Sequence, residues 1–178
     1  GIEKDLTVEQ VLVAAERCAH HGVGALFPFI VGFPGETEAS VAKTFSLAAR
    51  LAAMSPNFAV RMFSYQPYPG SPLYEAAVAR NDKVLPDTLE GWGRFDYVGS
   101  RGPWTSAAKH EAANRVEFYV NRAWSRRRTL AGRVVGRLAR WRCRHGAYAL
   151  PAEMWLARRR MNLPTTAAGC RGPGPGGS

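Results

Sequence analysis

Apolar positions along the chain switch between helical and strand spacing, with short polar breaks between them. Thr7 stands just before Val8, Val11, Leu12 and Ala15, which recur at helical spacing, and Gly22 after His20 and His21 ends the run; a capped helix is expected. Residues 23–31 follow without polar alternation and are rich in aromatic and branched side chains, the pattern of a strand buried on both faces of a parallel sheet. After "GFPGE", Val41, Phe45, Ala48 and Leu51 mark a second helix over roughly residues 36–54, which Ser55, Pro56 and Asn57 close. Residues 58–65 have strand composition and break at "QPYPG", and a short helix is expected over 72–80. Helix, strand, helix, strand, helix with short connections is a βα repeat with a parallel sheet, either doubly wound or part of a (β/α) barrel. Two strands cannot close a barrel and leave a sheet edge unpaired, so the chain reads as the later portion of a larger α/β domain.

Beyond residue 80 the period is lost. Residues 81–103 carry Asp, Pro and Gly breakers among Trp92, Phe95 and Tyr97, and read as a loop whose rings either cover a substrate or pack against the domain. Helical spacing returns over 106–128 with Ala112, Val116, Tyr119, Val120 and Ala123. In the next segment Leu130, Val134, Leu138 and Trp141 fall within about 80° of one another on a helical wheel. Arg126, Arg133, Arg137, Arg140 and Arg144 fall within about 60° on the adjoining face, which makes a basic amphipathic helix. Pro151 interrupts it, residues 152–162 resume it with Arg158, Arg159 and Arg160, and residues 170–178 are a Gly/Pro stretch expected to be disordered. The expected layout is an α/β part over 1–80, an aromatic loop over 81–105, a helical Arg-rich extension over 106–162 and a Gly/Pro tail over 163–178.

A length of 178 residues with 46% apolar composition suits one domain with a hydrophobic core. The longest apolar runs fall well short of the roughly 20 residues that span a bilayer, no secretory leader is visible, and the expectation is a cytoplasmic chain, soluble or peripheral to a membrane. The first residue is Gly1, so the start of the protein is expected to be missing. Cys18, Cys143 and Cys170 make no pair with metal-ligand spacing, and no metal site is assigned, Cys143 and His145 included. Charge is uneven: residues 1–114 carry 10 Lys+Arg against 12 Asp+Glu, while residues 115–178 carry 14 against 2, every cation an arginine. Three readings of the basic segment 126–160 follow, in order of weight: a solvated arginine face, an anionic membrane surface, and RNA phosphates.

The corner "FIVGFPGET" carries the most chemistry. A strand that ends in glycine and leads into a helix brings backbone close to a ligand, and active sites of parallel α/β folds lie at these carboxyl ends. Gly32 is expected to let a flat ring or backbone approach, Pro34 to stiffen the turn, and Glu36 and Glu38 to sit in the positive field of the helix N-terminus. The alternative is an ordinary βα turn. No residue stands out as an acid, base or nucleophile, so no catalytic residue is assigned. His20, His21 and His110 read as surface or helix-end residues.

Some thirty residues later the next strand ends in "SYQPYPGSPLYE". "FIVGFPGET" followed by "PYPGSPLY" resembles the radical S-adenosylmethionine superfamily, and more narrowly the branch whose members often carry an N-terminal cobalamin-binding domain. "GIEKDLTVEQVLVAAERCAHHGVGA" is similar to the stretch before the fifth barrel strand there, so the resemblance covers roughly residues 2–75. It implies a partial (β/α) barrel in which a [4Fe–4S] cluster binds S-adenosylmethionine and reduces it to a 5′-deoxyadenosyl radical. It implies that Ile30, Gly32 and Phe33 lie against the adenine, with Pro34 counted among the cofactor-binding residues, and that Tyr65, Gln66 and Pro67 flank adenine and substrate. The family holds its cluster with a CxxxCxxC loop, which this chain lacks, so the chain alone is expected to be inactive. The substrate implied is a metabolite, a lipid or a natural-product precursor. A transfer-RNA methylthiotransferase shares a similar corner and is the second enzymatic reading, although it implies a β-rich RNA-binding domain where residues 106–162 read as helical. A non-catalytic membrane- or nucleic-acid-binding module built on a barrel remnant is the third.

Overall fold

The structure, a computed structural model, describes residues 6–66, 69–79, 86, 88–94, 105–125, 129–149 and 151–160. The chain divides into two units, Gly1–Tyr148 and Ala149–Ser178.

In the first unit α1 (Val8–His20) starts as its sequence predicts. Thr7 and Gln10 form a capping box, Thr7 Oγ1 accepting from Gln10 N–H at 3.2 Å while Gln10 Oε1 accepts from Thr7 N–H at 2.8 Å. β1 (Ala25–Val31), α2 (Glu38–Met54) and β2 (Phe58–Ser64) follow, and β1 pairs with β2 in parallel, Ala25 opposite Phe58 through Val31 opposite Ser64. This βαβ crossover agrees with the expected parallel sheet. α3 (Pro72–Ala79) comes next, and then α4 (Leu89–Arg94), a short helix inside the segment expected to be loop, where Trp92 lies 5.9 Å from the Tyr74 ring. Phe95 and Tyr97 lie outside the described residues. α5 (Ala107–Trp124) and α6 (Leu130–His145) complete the unit, and α7 (Ala152–Arg160) is the helix of the second.

β1 departs from its expected burial on two faces. Phe27, Phe29 and Val31 point into the core, but Leu26, Pro28 and Ile30 are exposed, Leu26 at 60% and Ile30 at 43%. The reason is layering: α1, α2 and α5 all lie on one side of the sheet. There Val31, Val60, Met62, Ala48, Val116 and Val120 make one cluster, and Leu12, Ala15, Leu51 and Phe58 make another. No described element covers the face that carries Leu26, Pro28 and Ile30.

The backbone bonds show why the two sheet edges differ. Tyr65 N–H donates to Val31 C=O at 2.7 Å, so residues 25, 27, 29 and 31 direct their peptide groups at β2, and Leu26, Pro28 and Ile30 direct theirs outward. Pro28, which has no N–H, therefore costs the ladder no bond. The outer edge of β2 is closed by side chains of α5, so among the described residues the unpaired edge expected of two strands is that of β1. Asn121 accepts from Val60 N–H and donates to Val60 C=O, both at 2.8 Å, and Glu117 Oε2 accepts from Met62 N–H at 2.7 Å. Arg61, 3.2 Å from the other Glu117 oxygen, holds that carboxylate in place. The helix thus supplies the acceptors and donor that a neighbouring strand would.

Candidate functional site

The corner between β1 and α2 closes on itself. Gly32 and Gly35 have φ of 87° and 77°, the left-handed region that glycine enters without a Cβ penalty. Thr37, not Glu36, caps α2, and its Oγ1 accepts from Ser40 N–H at 3.2 Å. Glu38 occupies the first turn as expected, but Glu36 precedes the helix and folds back. Its Oε2 accepts the Gly32 N–H at 2.6 Å. Lys109 Nζ, from the first turn of α5, lies 3.8 Å from the same oxygen and donates to the Glu36 backbone carbonyl at 3.4 Å.

The close approach that Gly32 permits is to the protein itself. A Cβ added there would overlap Thr105 Oγ1 and lie 3.0 Å from Thr105 Cβ, and Thr105 is 2% exposed. Thr105 thus occupies the space over Gly32 into which a flat ring or backbone was expected to come. The ring surface next to the corner is instead formed by Phe33 and Tyr65, whose centroids are 4.6 Å apart at 31°. Tyr65 and Gln66 are buried just past β2, Pro34 is half-buried in the turn, and Ile30 sits one residue before the end of β1 on its uncovered face. Strand pairing brings Ile30, Gly32, Phe33, Pro34, Tyr65 and Gln66 to the same carboxyl end of the sheet; Pro67 lies outside the described residues.

Three polar residues at this end were not found by sequence reasoning. Ser64 Oγ and His110 Nδ1 are 3.0 Å apart, partly buried, joining the last residue of β2 to the first turn of α5, the helix-end position expected for His110. Lys109, beside it, reaches Glu36. These pairs span 46 and 73 residues, and no local spacing announces them. Ser106, the cap of α5, fixes the turn from which Lys109 and His110 project.

Among the described residues no three of His, Cys, Asp and Glu are grouped to hold a metal. Cys18 packs in the cluster of α1 and α2, and Cys143 packs beside Tyr148 at the end of α6. Burial pushes the Cys143 thiol from its ordinary 9.0 up to about 11, against a smaller opposing pull from its hydrogen bond to Tyr148. Burial, and then the Cys143 neighbour, pushes the Tyr148 hydroxyl well above its ordinary range. Cys170 lies outside the described residues. No described helix is long and apolar enough to cross a membrane.

No protein-family profile and no solved structure matches the chain. Two curated proteins do. It is 36% identical over 80 residues to an uncharacterised methyltransferase of Pyrococcus horikoshii, which is 45% of this chain and 17% of that protein. It is 32% identical over 126 residues to a tRNA-2-methylthio-N(6)-dimethylallyladenosine synthase of a Parafrankia species, 71% of this chain and 24% of that protein. Both relatives are named as enzymes, and the chain spans less than a quarter of the length of either.

Proposed function

We propose that the chain is part of a radical S-adenosylmethionine enzyme, and that its β1–α2 corner faces the adenosyl part of that cofactor. The observation that carries the reading is the grouping of Ile30, Phe33 and Tyr65 at the carboxyl ends of two parallel strands, beside a sheet face that no described element covers. Similarity to a methyltransferase and to a methylthio-adding synthase supports group-transfer chemistry of this class.

The residues fit an adenosyl group in part. Ile30 and the ring of Phe33 offer apolar surface at the strand ends, whereas Gly32 N–H is held by Glu36 and the space over Gly32 by Thr105. Gly32, Pro34 and Gly35 thus shape the corner, and contact with adenine falls to Ile30 and Phe33, flanked by Tyr65 and Gln66. When bound, S-adenosylmethionine would supply the group or radical to be transferred. A [4Fe–4S] cluster does not fit the described residues: Cys18 and Cys143 belong to separate packing clusters, so thiolate ligands must come from elsewhere in a longer polypeptide. On this reading the chain alone is inactive. Cobalamin, and a metabolite, lipid or natural-product substrate, remain parts of the proposal that no residue here selects.

A second reading, a transfer-RNA-modifying enzyme, is favoured by the name of the relative aligned over 71% of the chain. Against it, α5 and α6 occupy the stretch in which that reading implies a β-rich RNA-binding domain. The test is the reading frame upstream of the Gly1 codon: the proposal expects three cysteine codons in CxxxCxxC spacing, in frame. An upstream frame without them would sink it.

A further inference from the structure

α6 has an outward surface that core packing does not explain. Its inner side carries small residues, Gly136 and Ala139, which bring it close to α5; a Cβ on Gly136 would meet Arg122 C=O at 3.4 Å. The opposite side is divided lengthwise. One flank is apolar and open to solvent: Leu130 is 77% exposed, Val134 65% and Trp141 52%. The other holds Arg133, Arg137, Arg140 and Arg144, spaced over about 16 Å of helix. These four have no hydrogen-bond or ion-pair partner among the described residues. By contrast, Arg142 donates to Ala147 C=O at 2.8 Å and lies over the Tyr119 ring, Arg122 lies over the Phe118 ring, and Arg115 pairs with Glu111.

A merely solvated arginine face gives no reason for three large apolar side chains beside it, and neither does RNA binding, which draws on cations and stacked rings rather than on Leu and Val. An interface between water and lipid needs both flanks: apolar side chains enter the acyl boundary while guanidinium groups reach headgroup phosphates. At the junction of α5 and α6, Ser125, Arg133, Gly136, Arg137 and Arg140 line a cavity of about 210 Å³. Ser125 Oγ is buried there without a hydrogen-bond partner among the described residues. A phosphate oxygen would satisfy it.

We infer that α6 lies on an anionic phospholipid surface, with Leu130, Val134 and Trp141 facing the lipid and the four arginines on its phosphates. This does not depend on the adenosyl reading of the corner. The test is co-sedimentation of the 178-residue chain with vesicles of phosphatidylcholine alone and with 30% phosphatidylglycerol, at about 0.1 and 0.5 M salt. Two variants accompany it, R133Q/R137Q/R140Q/R144Q and L130Q/V134Q/W141Q, with circular dichroism to verify helix content. Binding is expected only to the anionic vesicles and to weaken at high salt. The arginine variant loses affinity by about a hundredfold or more, at about fivefold per arginine, and the apolar variant by about tenfold or more. Absence of anionic-vesicle binding overturns the inference. So does vesicle binding that the apolar variant retains in full and that single-stranded RNA displaces, since that marks a surface for any polyanion.

Discussion

Gly32 and Gly35 hold φ of 87° and 77° just past the end of β1. What presses on Gly32 is Thr105, a residue 73 positions away that sequence placed in a loop. Gly32→Ala is therefore expected to cost about 2–4 kcal/mol, combining the penalty of a positive φ with overpacking. In the double variant Gly32→Ala/Thr105→Ala the loss should be smaller than the sum of the single losses by about 1 kcal/mol, read from urea midpoints; strict additivity would rule out the contact. Cys143 makes a second residue-scale prediction. Its folded pKa is raised to about 11, so the unfolded thiol loses its proton first as pH rises. Its contribution to stability is whole below about pH 8.5 and is lost as pH climbs toward 11. The natural chain should thus lose more of its urea midpoint between pH 8 and 11 than Cys143→Ala does. Equal slopes would show that burial of the thiol carries no such linkage.

Among elements, α5 does more than its apolar stripe suggests. Val116 and Val120, 0% and 1% exposed, seat it on the sheet, as its spacing predicts. Asn121 and Glu117, which no apolar spacing singles out, bond the free edge of β2 in place of a third strand. Replacing Asn121 by Ala leaves Val60 N–H and C=O without these partners. It is expected to cost about 1–3 kcal/mol in equilibrium unfolding, far more than an exposed helical Asn→Ala change. A change below about 0.5 kcal/mol would mean that water replaces the side chain freely. The order and type of α1, β1, α2, β2, α3, α5 and α6 were legible because each depends on local periodicity and caps such as Thr7, Thr37 and Ser106. What was illegible has one physical cause: burial of β1 on one face only, the sealed edge of β2 and the Ser64–His110 pair all depend on which layer lies opposite. Residues far apart in the chain decide that.

For the molecule as a whole, the uncovered sheet face and the outward edge of β1 coincide with the end of the sheet where Ile30 and Phe33 sit. Sequence reasoning pointed to this end through its glycines and its resemblance and set Glu36 in the field of the helix N-terminus, but it could not bring Thr105 or Lys109 there. The account depends most on the claim that this end faces a nucleoside. Its direct test is a titration of the isotopically labelled 178-residue chain with 5′-deoxyadenosine to millimolar concentration, followed by amide nuclear magnetic resonance. The account predicts saturable shifts at Ile30, Gly32, Phe33 and Gln66, reduced by Ile30→Asp on the exposed face. Shifts absent throughout, or confined to residues away from the ends of β1 and β2, would contradict it.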